Sequence, residues 1–123
     1  MVLPELYIGT DLVSILRFRS AIDRNEDRFL SRVFTSSEQE YCQGKADPVI
    51  HYAGRFAAKE AIMKAIKSSG WNRTIAFNSI NIASNNSGCP VVTLDFAIGG
   101  KLRVSISHTD EHAIAFAVFL PRK

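Results

Sequence analysis

From Asp47-Pro48 to Gly70 the chain reads as one long helix. Aspartate followed by proline makes an N-cap with proline at the first helical position, and glycine is the usual stop. The interval allows about 20 residues, or five to six turns. Ala53, Ala57, Ala58, Ala61 and Ala65 keep this helix slim, so a neighbouring element can approach closely. It also holds an awkward carboxylate. Phe56, Glu60, Met63 and Lys67 share one face, which sets Glu60 one turn from an apolar residue on either side. A carboxylate in such company is costly unless something pairs with it. Lys64, at i+4, supplies part of a partner, and a metal ion would supply the rest. The simpler alternative is a half-exposed Glu60–Lys64 pair at the edge of a core, and the helix alone does not choose between them.

The elements before it are shorter. Leu6-Tyr7-Ile8 reads as a strand, and Asp11 stands at or just past its end, between Gly9-Thr10 and Leu12-Val13. An acid there is either a turn or cap residue, or a rigidly held metal ligand. Residues 14 to about 25 form a helix with Ile15, Phe18 and Ile22 as the buried stripe. Arg17, Arg24 and Arg28 recur at i, i+7 and i+11 as a second, basic stripe, with Arg19 off the line. Such a stripe is either a solvated face or a dock for an acidic helix or a phosphate backbone. Residues 28–34 suggest a short second helix, and Thr35-Ser36-Ser37-Glu38 is a capping box that opens a third.

After Trp71 the period changes from helix to strand. Runs at 79–82, 90–94, 102–107 and 113–120 alternate, separated by turns at 85–88, 99–100 and 109–112. Helices followed by an antiparallel meander make an α+β chain, and 123 residues make a single domain, 1–123. No apolar run reaches a membrane span, and Met1-Val2-Leu3-Pro4-Glu5 lacks the features of a signal peptide. Cys42 and Cys89 have no metal-like spacing and read as reduced thiols of a cytoplasmic protein. Net charge is only +3, but eleven of the fifteen lysines and arginines lie between Arg17 and Arg73, which suggests an anionic partner.

His108 ends the fourth of the five strand-like runs. Together with Asp11, Glu60, Arg55 and Lys64 it completes an inventory of two carboxylates and several cations. That inventory suits magnesium, which takes few protein carboxylates and completes its octahedron with water and substrate phosphate. No glycine-rich phosphate loop, nucleophile elbow or paired-histidine zinc motif occurs in the sequence. On the residues alone the chain has a candidate magnesium–phosphate site.

Four segments, in order and spanning almost the whole chain, resemble the holo-[acyl-carrier-protein] synthases, the small bacterial 4′-phosphopantetheinyl transferases. Gly9-Thr10-Asp11-Leu12-Val13 with Arg17 resembles the N-terminal motif. Arg32-Val33-Phe34-Thr35 with Glu38 is similar to the second. Gly54-Arg55-Phe56-Ala57-Ala58-Lys59-Glu60-Ala61 with Lys64-Ala65 is similar to the central signature. Ser105-Ile106-Ser107-His108 and the alanine-rich last strand resemble the C-terminal element.

The resemblance implies the fold of that family, a long central helix packed with other helices on a mostly antiparallel sheet. It implies transfer of 4′-phosphopantetheine from coenzyme A to a serine of apo-acyl carrier protein, with adenosine 3′,5′-bisphosphate as the other product, in support of fatty acid biosynthesis. Asp11 and Glu60 match the magnesium ligands. Glu60 would accept the serine proton and Lys64 would stabilise the leaving phosphate. Arg55, Lys64, His108 and Thr109 match positions at the coenzyme A phosphates, and Pro90 one near the adenine. Arg17, Arg24 and Arg28 would meet the acidic carrier protein. The family's state is a homotrimer with sites between neighbouring chains, and neither nucleic acid nor membrane is expected as a partner.

Two departures stand out. Lys67-Ser68-Ser69-Gly70 replaces the glycine-rich turn that usually follows the central motif, and 96–101 is too short for the helix many members insert, so a tight connection is expected. Two other readings compete. One is a non-catalytic basic module for RNA or an acidic protein, which would need neither Asp11 nor Glu60. The other is a broad-specificity phosphopantetheinyl transferase, a class about twice this length.

Overall fold

The computed structural model describes residues 5–122, apart from the side chain of Glu26; the stretch 1–4 on which the signal-peptide reading partly rests lies outside them. The elements run β1 (Tyr7–Ser14), α1 (Ile15–Val33), α2 (Ser36–Gln43), α3 (Pro48–Ser68), a 3₁₀ turn (Phe77–Ser79), β2 (Ile80–Ser84), β3 (Pro90–Leu94), β4 (Gly100–His108) and β5 (His112–Pro121). The α+β reading holds: helices pack on antiparallel strands around α3. No helix of the described residues is long and apolar enough to cross a membrane.

β5 is the middle strand of a three-stranded sheet, β1-β5-β4, and β2 and β3 form a separate two-stranded ribbon. This differs from a four-strand meander, because the N-terminal strand takes the far edge of β5. The inner face of β5 is Ala113, Ala115, Ala117 and Phe119, all buried. Against it lie Ala57, Ala58, Ala61 and Ala65 of α3, also fully buried. Alanine on both surfaces lets helix and sheet approach closely. The approach is tightest at Gly9, where a Cβ would lie 2.0 Å from the Ala61 carbonyl oxygen.

β1 is longer than the sequence suggests. It runs through Gly9-Thr10-Asp11, so Asp11 is a mid-strand residue opposite Ala115 and not a strand-end residue. Glycine and aspartate imitate a turn here, but each answers to α3. The two helices read at 14–25 and 28–34 form one element broken at Asn25, whose φ of −145° and ψ of 41° are non-helical. The Thr35/Glu38 capping box forms as expected. Asp47 precedes Pro48 but makes no side-chain cap; it pairs with Arg19 at 3.3 Å. The 96–101 segment holds no helix and Gly99 turns it at a φ of 67°.

A second core joins α1 to α3. Phe18 packs edge-on against Phe29 and tilted against Phe56, which stacks on Phe77 at 5.4 Å. Cys42 is fully buried there, and burial pushes its thiol up to about 11, so it behaves as an apolar filler.

Candidate active site

Two groups of charged side chains stand on opposite sides of α3. Glu60 and Lys64 follow Arg55 by five and nine residues, which turns them about 140° and about 180° away from it.

The first group gathers where α3 crosses β1. Asp11 projects from the inner face of β1, and Lys64 Nζ donates to its Oδ1 at 3.3 Å and to the Thr10 carbonyl at 2.9 Å. Lys64 therefore bonds Asp11, and not Glu60 as the helix spacing suggested: β1 offers a backbone carbonyl beside the carboxylate. Glu60 is half-buried on the same side. Its carboxyl is raised from the ordinary value by burial first and by the Asp11 charge second, with Lys64 and Lys67 opposing. Two carboxylates that repel each other across a partly desolvated gap favour a cation between them. No cluster of three or more potential metal-ligating side chains occurs among the described residues, so a metal held here takes only two protein carboxylates. That donor set fits magnesium, whose other positions go to water and phosphate.

Asp11 and Glu60 line an open groove of about 740 Å³ between β1, α1 and α3. Val13, Phe18, Ala21, Phe29 and Phe56 supply its apolar surface, and Arg17 and His112 also line it. His112 drew no attention in the sequence, since only the pairing of β5 with β1 brings it to this groove.

The second group surrounds Arg55. Arg55 is only 6% exposed, yet none of the described residues forms a salt bridge with it. Its Nε donates to the Ile82 carbonyl at 3.3 Å and its Nη2 to Ser84 Oγ at 3.4 Å. Its carbon stands 4.0 Å from the ring centre of Tyr41, with Lys45 on the same ring at 4.5 Å. His51 packs edge-on to Tyr41 and is lowered by burial first, then by Lys45, Arg55 and His108. Tyr41 is lowered mainly through its hydrogen bond with Ser84 and by the charges of Arg55 and Lys45. His108, at the end of β4, is thus part of this group. So is the start of β3, because Pro90 pairs in register with Ser84. Thr109 follows in the β4–β5 turn, where its hydroxyl accepts from the amides of Glu111 and His112. A buried cation held by neutral groups and flanked by Lys45, His51 and His108 suits an anion.

The structure therefore joins Asp11, Glu60 and Lys64, and separately joins Arg55, His108 and the Pro90 edge. Tyr41, Lys45 and Ser84 are not legible in the sequence, because α2, the loop after it and β2 deliver them to Arg55; His51 stands one turn before Arg55 on α3 itself. Arg17, Arg24 and Arg28 are exposed on α1. The break at Asn25 falls between the last two, so the three do not share one straight helical line.

The family model described as the 4′-phosphopantetheinyl transferase superfamily matches residues 7–117. A holo-[acyl-carrier-protein] synthase of Chlorobaculum tepidum is 40% identical over 116 residues, covering 94% of this chain and 98% of that protein. One of Protochlamydia amoebophila is 42% identical over 120 residues, covering 93% and 97%. Among solved structures, the Helicobacter pylori holo-[acyl-carrier-protein] synthase in complex with coenzyme A is 34% identical, with a TM-score of 0.80 over 91% of this chain and 98% of that one. The Bacillus anthracis synthase in complex with coenzyme A (3′,5′-ADP) is 28% identical, with a TM-score of 0.79 over 94% and 96%.

Proposed function

This chain belongs to the holo-[acyl-carrier-protein] synthases of the 4′-phosphopantetheinyl transferase superfamily, and we propose that its two charged groups are the two halves of the site that runs the family's reaction. The enzyme binds coenzyme A and transfers its phosphopantetheine group to an acyl carrier protein. The observation that carries our assignment of residues is the pairing of a repelled carboxylate, Glu60 beside Asp11, with a buried cation that lacks a counter-ion among the described residues, Arg55. The one asks for a metal and the other for a phosphate.

In this reading Asp11 and Glu60 hold magnesium, which supplies charge neutralisation on the pyrophosphate of coenzyme A. The serine oxygen of the carrier protein bonds to the phosphorus that bears the pantetheine arm. The bond from that phosphorus to the bridging oxygen breaks, and adenosine 3′,5′-bisphosphate leaves. Glu60 lies beside the metal position and accepts the serine proton. Lys64 is half-exposed and, among the described residues, bonded by Thr10 and Asp11, so it can turn to the leaving phosphate. Arg55, with His108, Thr109 and the Pro90 edge, holds the nucleotide end. Arg17, Arg24 and Arg28 dock the acidic carrier protein beside the groove, where rim charges mainly steer and orient.

The body of α3, with side chains about 10–12 Å across, stands between the two halves of one chain. A homotrimer resolves this, with each site taking its metal half from one copy and its phosphate half from the next. The outer face of the three-stranded sheet supports such assembly. Ile8, Leu12, Ile114 and Phe116 share it in register and are 53%, 63%, 46% and 43% exposed. Apolar side chains so grouped suit burial against another copy. The chain acts throughout as a single domain.

The direct test incubates the protein with coenzyme A, magnesium and apo-acyl carrier protein and weighs the carrier. The phosphopantetheine mass appears on a serine and disappears when the metal is chelated. An unmodified carrier across several divalent metals contradicts the assignment.

A further inference from the structure

Glu38 of the second motif and Lys59 of the central motif have no part in the reaction as described, yet they form the most completely buried ion pair among the described residues. The Glu38 and Lys59 side chains are 0% exposed, and Lys59 Nζ lies 2.7 Å from Glu38 Oε1. Lys59 also donates to the carbonyls of Val33 at 2.7 Å and Phe77 at 3.1 Å. Glu38 Oε1 accepts the Thr35 amide at 2.8 Å, and Oε2 accepts the Ile82 amide at 2.7 Å. Burial holds the lysine below its ordinary value, and the bond and charge of Glu38 oppose that shift.

Ile82 is the link to the site. It lies on β2, whose outer edge has no strand beside it. In an extended strand the N–H and C=O of one residue point to the same side. Ile82 presents both to that free edge: its N–H donates to Glu38, and its C=O accepts from Arg55 Nε at 3.3 Å. Lys59, Glu38, Ile82 and Arg55 therefore form one chain of contacts. It begins one residue from Glu60 and ends at the guanidinium.

We propose that Glu38 and Lys59 are positioning residues for coenzyme A: the buried pair fixes the Ile82 peptide, and its carbonyl aims Arg55 at the substrate phosphate. This rests on the reading of Arg55 given above. Stability alone is a poor reason to keep such a pair, since apolar side chains of similar volume commonly do as well or better. An amide at position 38 has a single acceptor oxygen, so it cannot serve Lys59, Thr35 and Ile82 together.

A double-mutant cycle tests this by calorimetric titration of coenzyme A into the magnesium-loaded enzyme. Glu38→Gln raises the dissociation constant roughly tenfold and leaves the KM for carrier protein in place. In an Arg55→Ala background the same change has an effect within about twofold, because the group it positions is gone. If Glu38→Gln does not fold, the charge-neutral pair Glu38→Gln/Lys59→Met takes its place. In the parent enzyme, the Ile82 amide resonance moves on addition of coenzyme A, and it does not move in Arg55→Ala. A full-sized effect of position 38 in the Arg55→Ala background, or a folded variant that binds coenzyme A like the parent, overturns the inference. So does an Ile82 resonance that ignores coenzyme A in the parent. Unchanged binding by Arg55→Ala itself overturns the reading of Arg55, and the inference with it.

Discussion

Glu60 holds its proton to a higher pH than an ordinary glutamate, because burial and Asp11 together outweigh Lys64 and Lys67. The folded pKa lies above the unfolded one, so ionising Glu60 costs native stability as pH rises, and that cost is relieved as pH falls through the folded pKa. In metal-free protein, Glu60→Gln is therefore slightly more stable than the parent at neutral pH, and thermal melts show the advantage vanishing in acid. Magnesium reverses the order, since only the parent has the full ligand pair. Arg55→Met shows a related split. It removes a buried cation without a counter-ion, so the Tm does not fall, while the affinity for coenzyme A drops by about 2–3 kcal/mol. The residues of the first group were legible one by one: the sequence singles out Asp11, Glu60 and Lys64, and the structure brings them together. Their bonding was not. Helix spacing offers Lys64 only to Glu60, and a strand from elsewhere in the chain supplied the better acceptors, Asp11 and the Thr10 carbonyl.

Elements with strong end signals were readable, and α2 and α3 begin where the capping box and Asp47-Pro48 say they do. β1 was cut short because Gly9-Thr10-Asp11 has the composition of a turn. The glycine is there for the helix that crosses it, since a Cβ would lie 2.0 Å from the Ala61 carbonyl oxygen. Gly9→Ala accordingly forces β1 off α3, costs about 3 kcal/mol in denaturant unfolding and carries Asp11 away from Glu60. The break between β2–β3 and β4 was illegible for a different reason. Alternation marks a strand but not its neighbour: β3 pairs with β2, and β4 pairs with β5. On α1, reversing Arg17 and Arg24 to Glu raises the KM for carrier protein far more than that for coenzyme A, because both lie outside the Arg55 group. Equal effects on both constants remove the docking role.

For the whole molecule, the two half-sites and the apolar sheet face point to the same assembly. Sedimentation at assay concentration shows a trimer, and Leu12→Asp with Phe116→Asp dissociates it and lowers turnover, although neither residue carries a charge of either half-site. The most direct measurement mixes two disabled chains. Glu60→Gln removes a proposed metal ligand and Arg55→Met the proposed phosphate cation, and each alone is expected to be nearly inactive. Unfolded and refolded together, they regain about a quarter of parental phosphopantetheine transfer, the chance that neighbouring copies join two intact halves. A mixture that forms trimers yet stays as inactive as its components contradicts a site shared between chains.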